Sequence, residues 1–132
     1  MILIFESPDL EQWTRDLVDA PRRIDEEMLK VVKRGANNIK EDAKQRVADA
    51  RIGKGYIKHY AASITYDEPT ESGHEISTEI GPDSDRKQGH LGIVIEYGNA
   101  QTPPLPHLEP ALDEEVEGFV DASGDAAVQV LT

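Results

Sequence analysis

Four prolines within eight residues, Pro103, Pro104, Pro106 and Pro110, restrict this chain more than any other feature of it. Each proline removes a backbone donor and holds φ near −65°, so residues 103–106 form a stiff extended connector that enters neither a helix interior nor a sheet interior. Just before them, the run Leu91-Gly-Ile-Val-Ile stops at Glu96-Tyr97-Gly98. Ile93, Val94 and Ile95 have the β-branched stiffness of a buried strand, yet the run is short enough to be a single helical turn. Gly98 and Asn99 are residue types that accept positive φ, which places a sharp turn between the run and the prolines. Pro110 falls in the first turn of a following helix, where its missing N–H costs nothing. The stretch reads as a rigid bracket joining two packed elements.

The chain that surrounds this bracket has 132 residues, the size of one domain (1–132) with a real core. It has no cysteine, and therefore no disulfide framework, thiolate zinc site or cysteine nucleophile. No apolar run approaches the roughly 18 residues that span a bilayer. Met1-Ile-Leu-Ile-Phe5 is too short, and lacks the basic flank, for a signal peptide. A soluble protein of a reducing compartment, without a membrane partner, is expected.

The net charge of −12 opposes wrapping of nucleic acid, which takes a surplus of Lys and Arg. That charge is segregated. Residues 1–20 carry one base against five acids, residues 21–60 eleven bases against six acids, and residues 61–132 two bases against fifteen acids. Surfaces of opposite sign are thus available for docking within one chain or between copies.

In chain order, Ile2–Phe5 is an edge strand or an arm lying on a neighbour. Ser7 caps and Pro8 opens a short amphipathic helix carrying Leu10, Trp13, Leu17 and Val18, so that residues 1–20 make an arm and a short helix. Pro21 then starts the longest helix (21–52). Ile24, Met28, Val31, Gly35, Ile39, Ala43, Val47 and Ala50 form one stripe on it, and Gly35 invites a close crossing of another backbone. Lys30, Lys33, Lys40, Lys44 and Arg51 lie beside that stripe, a solvated face or a surface for an acidic partner. Residues 56–98 hold a small sheet: Tyr60–Tyr66 and His74–Ile80 are two antiparallel strands, with Ile64 and Tyr66 on one face and Ile76, Thr78 and Ile80 sharing another. Residues 99–132 hold the proline connector and a last helix from near Leu108. Its apolar face is Ala111, Leu112, Val116, Phe119 and Val120, and Ser123-Gly124 is a place for it to end or kink. The fold class is therefore α+β, a small antiparallel sheet packed with one long helix and a C-terminal helix.

Little in the chain points to catalysis. His59, His74, His90 and His107 have no metal-ligand spacing. Asp83-x-Asp85 fails as a calcium loop, with Lys87 at the fifth ligand position and Val94 at the twelfth. Gly53-x-Gly55 lacks the rest of a nucleotide fingerprint. Glu96 is the one carboxylate flanked by apolar residues, so it either holds a turn or an intersubunit contact, or serves as a general base of raised pKa. No catalytic residue, cofactor site or metal site is expected.

The order acidic residue, aromatic, glycine, small polar residue, then a proline-rich connector ending Pro-x-Leu-x-Pro-Ala-Leu resembles a family of tailed-bacteriophage neck and tail-completion proteins related to the minor tail protein Z of phage lambda. Here the pattern is Glu96-Tyr97-Gly98-Asn99, then Pro103-Pro104, then Pro106-His107-Leu108-Glu109-Pro110-Ala111-Leu112. Asn99 and His107 stand where the family more often has threonine and phenylalanine. The resemblance implies a structural virion protein and no enzyme. It would be a subunit that forms a homo-oligomeric ring at the head–tail junction and joins the connector to the tail tube after assembly in the host cytoplasm. Its partners would be copies of itself and the connector, head-closure and tail proteins, with DNA passing through the lumen without specific binding. Glu96, Tyr97, Gly98, Pro103, Pro104, Pro106, Leu108 and Pro110 are then the interface candidates, together with the four lysines. Two rival readings of the residues stay open: an acidic DNA-mimic inhibitor using the C-terminal charge, and a small metal-dependent hydrolase using Glu96 with Asp83 or Asp85.

Overall fold

The computed structural model describes residues 8–50, 58–73 and 75–131, and for 8–20 the backbone only. The arm Ile2–Phe5, the Ser7 cap, the packing of Trp13, Arg51 and the glycines at 53 and 55 lie outside the described residues. A single helix, α1, runs from Pro8 to Ala50 with Pro21 inside it. The expected break at Pro21 is absent: a proline removes one intrahelical bond, but Ala20 before it is the best helix former and no glycine ends the preceding turns. The two helices read from the sequence are one rod of 43 residues, about 64 Å long.

Residues 60–66 also depart from the expected strand. Tyr60–Ser63 forms a helical turn, α2, and only Ile64–Tyr66 is strand β1. Ala61 and Ala62 favour the turn, and Ser63 closes it by donating its hydroxyl to the Tyr60 carbonyl at 2.6 Å. Strands β2 (Thr70–Ser72), β3 (Glu75–Ser77) and β4 (Ile80–Pro82) complete a long antiparallel hairpin. Ile64 lies opposite Pro82 and Tyr66 opposite Ile80, while Thr70 lies opposite Ser77 and Ser72 opposite Glu75. Between the two ladders, Glu68 and Pro69 face Thr78 alone, a bulge at the residue that has no N–H to give. The expected alternation holds, with Ile76, Thr78 and Ile80 half-buried and their neighbours Glu75, Ser77 and Glu79 exposed.

After a 3-10 turn at Gly89–Leu91, residues 92–97 are helix α3, which settles the strand-or-helix ambiguity and removes this run from the sheet. Gly92, Ile95 and Glu96 are buried and Ile93 and Tyr97 exposed, a spacing of three and four that only a helix produces. Tertiary contacts here override the β-branched preference of Ile93-Val94-Ile95.

The last helix, α4, runs unbroken from Leu108 to Leu131, so Ser123-Gly124 neither ends nor interrupts it. It lies antiparallel along α1: Phe119 packs on Gly35, and Asn38 donates to Glu115 at 3.1 Å. Gly35 thus admits an aromatic ring, 3.1 Å from where a side chain would begin, in place of the expected backbone crossing. The buried core is Ile39, Ala43, Val47, Tyr60, Ile64, Ile95 and Ala111, closed by Leu91, Leu105 and Leu108. On α1 the stripe also takes in Val32 and Ala36, while Ala50 is exposed. On α4 the face differs from expectation. Ala111, Ala126 and Val130 are buried, whereas Leu112, Val116 and Val120 are exposed.

Two kinds of glycine give opposite expectations. Gly124 lies within α4 with nothing within 4 Å of a Cβ, so Gly124→Ala should raise stability by about 0.5–1 kcal/mol. A Cβ on Gly92 would sit 2.4 Å from Pro82 Cγ, so Gly92→Ala should cost about 1–3 kcal/mol. Urea midpoints of the two variants against the parent chain check both signs.

Candidate functional site

The proline bracket closes on one carboxylate. Helix α3 ends at Gly98, whose φ of 72° and ψ of −178° reverse the chain, and whose N–H reaches the Val94 carbonyl at 2.7 Å. The Asn99 side chain accepts from the N–H groups of Gln101 and Thr102 at 2.9 and 2.8 Å, bending the backbone without a positive φ of its own. Leu105 N–H then returns to the Ile95 carbonyl at 2.7 Å. These bonds place the start of α4 directly over Glu96.

Glu96, only 5% exposed, accepts from the N–H groups of His107 (2.8 Å, to Oε2), Leu108 (2.6 Å, to Oε1) and Glu109 (3.3 Å, to Oε1). The first N–H groups of a helix have no partner within it, and its N-terminus carries partial positive charge. A carboxylate brought from eleven residues upstream satisfies them and meets that charge. Pro110 brings no N–H to the same turn.

His107 is fully buried on the other side of the cap. Its Nδ1 donates to the Leu105 carbonyl at 2.8 Å, which leaves Nε2 as the acceptor for the Tyr60 hydroxyl at 2.7 Å. In its neutral form the ring is therefore the Nδ1–H tautomer, and its 3.9 Å approach to Glu96 Oε1 is too long for a hydrogen bond. The Tyr60 and His107 rings meet edge-on, with centroids 5.3 Å apart. Burial, helped by the nearby Glu96 charge, pushes the Tyr60 hydroxyl well above the ordinary tyrosine range.

Both Glu96 oxygens are committed as acceptors, so the arrangement works as a clamp. Asp83 accepts from Asp85 N–H at 2.9 Å and faces the Arg86 guanidinium at 3.6 Å, holding its own loop. Among the described residues no three His, Asp or Glu side chains converge as metal ligands.

Of the other interface candidates, Leu108 and Pro110 join Glu96 and Gly98 at the cap, while Tyr97, Pro103, Pro104 and Pro106 face outward. Among the described residues no ion pair joins Lys30, Lys33, Lys40 or Lys44 to α4. Lys30 pairs with Glu27 at 2.9 Å, and Lys33 with Glu68, whose hydrogen bond and charge raise the ammonium pKa. Lys40 pairs with Glu41 at 3.4 Å and lies 5.5 Å from the Tyr66 ring centre. Tyr60 and His107 went unassigned in the sequence because nothing local links residues 47 positions apart.

An apolar trough opens beside the clamp. One depression, of about 400 Å³, lies against Ile93, Tyr97, Leu108 and Leu112; a second, of about 250 Å³, lies against Val32, Ala36, Ile76 and Val116. They share Ile39, Ile80 and Leu112 and so run together.

No family model, curated protein or solved structure matches this chain.

The clamp predicts a specific pH response. The folded state holds the Tyr60 proton more tightly than the unfolded chain, where tyrosine titrates near pH 10, so stability should fall as pH rises above about 10. Tyr60→Phe removes that contribution and should show a shallower alkaline loss. At pH 7 the same change should cost about 1–3 kcal/mol, because it leaves His107 Nε2 a buried acceptor without a donor. Denaturant unfolding of both chains from pH 7 to 11 checks the two effects together, and parallel alkaline curves would remove the role given to Tyr60.

Proposed function

We propose that this chain is a structural subunit of a tailed phage, a neck or tail-completion protein that forms a ring of its own copies at the head–tail junction and joins connector to tail tube. The observation that carries the reading is the bracket together with the surface it presents. A buried carboxylate fixes the direction of α4, and Ile93 and Tyr97 on α3 stand 76% and 70% exposed beside Leu112, Val116 and Val120 on α4. A monomeric protein has little use for so many adjacent exposed large apolar side chains, whereas a subunit interface needs them. The Glu96-Tyr97-Gly98 and Pro103–Leu112 resemblance supports the same reading.

In this role the subunit is not an enzyme and takes no cofactor or metal. Its chemistry is assembly: the apolar surface supplies contact, and the opposed charges of residues 21–60 and 61–132 set register between copies. Asp113, Glu114, Glu117, Asp121 and Asp125 lie exposed along α4. Turned toward a lumen, they would repel packaged DNA and let it slide.

A phage lacking this gene should accumulate separate heads and tails, and the purified protein should restore joined particles. Normal joining without the gene would end the proposal. The bracket can be tested within it. Pro103 and Pro104 are exposed, so replacing both with alanine should cost the isolated subunit less than about 1 kcal/mol. Each freed residue must be fixed again on assembly, at about 1 kcal/mol, so joined-particle yield should fall while the melting temperature barely moves. A large loss of melting temperature with normal joining would make this segment ordinary core support.

A further inference from the structure

We propose that the apolar trough between α4 and the β-hairpin is filled by residues Met1–Phe5 of a second copy of this chain. The trough is floored by Val32, Ala36 and Ile39 of α1, with Ile76 and Ile80 of the hairpin on one side and Leu112 and Val116 of α4 on the other. Its occupant must be apolar and slender, and Glu109 and Glu115 at its edges discourage any further carboxylate. Met1-Ile-Leu-Ile-Phe5 is the longest run of consecutive large apolar residues in the chain and carries no charged side chain.

The length of α1 decides which copy supplies it. Along an unbroken helix from Pro8, Val32 at the near end of the trough lies about 36 Å away and Ile39 about 46 Å. Residues 1–7, even fully extended, span at most about 25 Å. The segment therefore falls short of its own trough by about 10 Å. It is well placed for another's. With Gly35 level with Phe119 in an antiparallel pair, Leu131 falls level with about residue 23, so the Pro8 end of α1 projects about 20 Å past the end of α4. Each copy then gives one segment and receives one, a head-to-tail contact able to close into a ring. The inference deepens the self-assembly part of the proposed function and does not depend on the virion.

The absence of cysteine makes the test direct, because introduced thiols are the only ones present. Ile4→Cys and Val116→Cys, the latter at an exposed position, are each purified as full chains, mixed and mildly oxidised. The mixture should give a covalent dimer in roughly tenfold excess over either variant alone, and the double variant a ladder of larger products. A dimer yield no higher in the mixture, or a double variant that closes on itself within one chain, overturns the proposal. In sedimentation, Leu3→Glu and Val116→Glu should each weaken association by roughly tenfold or more, and an equimolar mixture should recover dimers, since one variant keeps the segment and the other keeps the trough. Association untouched by both changes means that the copies meet through other faces, which sinks the segment exchange and leaves the ring standing. A parent chain that is monomeric at every concentration also overturns the exchange, and joined-particle assays then decide the ring by themselves.

Discussion

The Glu96 carboxylate beneath the N-terminus of α4 is the contact on which the rest of the arrangement depends. Charge-assisted bonds to backbone N–H groups are about twice as strong as neutral ones, and burial strengthens them further. Three such bonds hold the first turn of α4 against the last turn of α3, across a loop of ten residues. Once the start of a helix is fixed in position and direction, the rest of its 24 residues follow as a rod. Which faces of α4 meet α1, and which are left outside, is therefore decided at its first turn. The cap also explains why a carboxylate can sit in the core without a cationic partner: the helix end supplies the compensating charge.

Gly98 and the prolines act on that contact. A side chain on Gly98 would meet Thr102 O and Pro104 N, each 2.7 Å away, so the turn and the connector are packed against one another with no room between. His107 and Tyr60 brace the other side, where the imidazole Nδ1–H donates a hydrogen bond to the Leu105 carbonyl and Nε2 is bonded to the Tyr60 hydroxyl. The polar groups of this buried cluster are satisfied in a fixed pattern, which makes it rigid. That rigidity leaves α4 with two apolar stripes that cannot both face α1. Ala111, Ala126 and Val130 take the inside, and Leu112, Val116 and Val120 remain outside.

Much of the architecture was legible in the chain because it rests on local chemistry. The long helix follows from its stripe, the turn from Gly98, the helix start from Leu108 and Pro110, and the α+β class from their order. Expectation and structure part where distant residues decide. Ile93-Val94-Ile95 reads as strand or helix until Gly92 is seen packed against Pro82 and Tyr60. Pro21 reads as a boundary, but a proline stops a helix only when its neighbours also favour stopping. The buried face of α4 is not legible because Leu112 and Val116 are as apolar as Ala111 and Ala126, and hydrophobicity alone does not say which stripe finds a partner. Within the site, Glu96 stood out as a carboxylate among apolar residues, and the structure places it under the first turn of α4, where both its oxygens accept backbone N–H groups. The Tyr60–His107 pair has no signature in the sequence.

The charges follow a different rule from the cap. Lys30, Lys33 and Lys40 find Glu27, Glu68 and Glu41, on their own helix or on the hairpin, and leave Asp113, Glu114, Glu117, Asp121 and Asp125 of α4 to solvent. Exposed pairs of this kind are worth about 0–1 kcal/mol each, far too little to aim a helix. Aiming is done instead by the buried carboxylate. The segregated charges are then free to act over distances of about 8–10 Å between molecules, where they affect orientation and rate more than folding. A subunit built this way keeps its shape through a few desolvated contacts and leaves its charge and its second apolar stripe for whatever it meets.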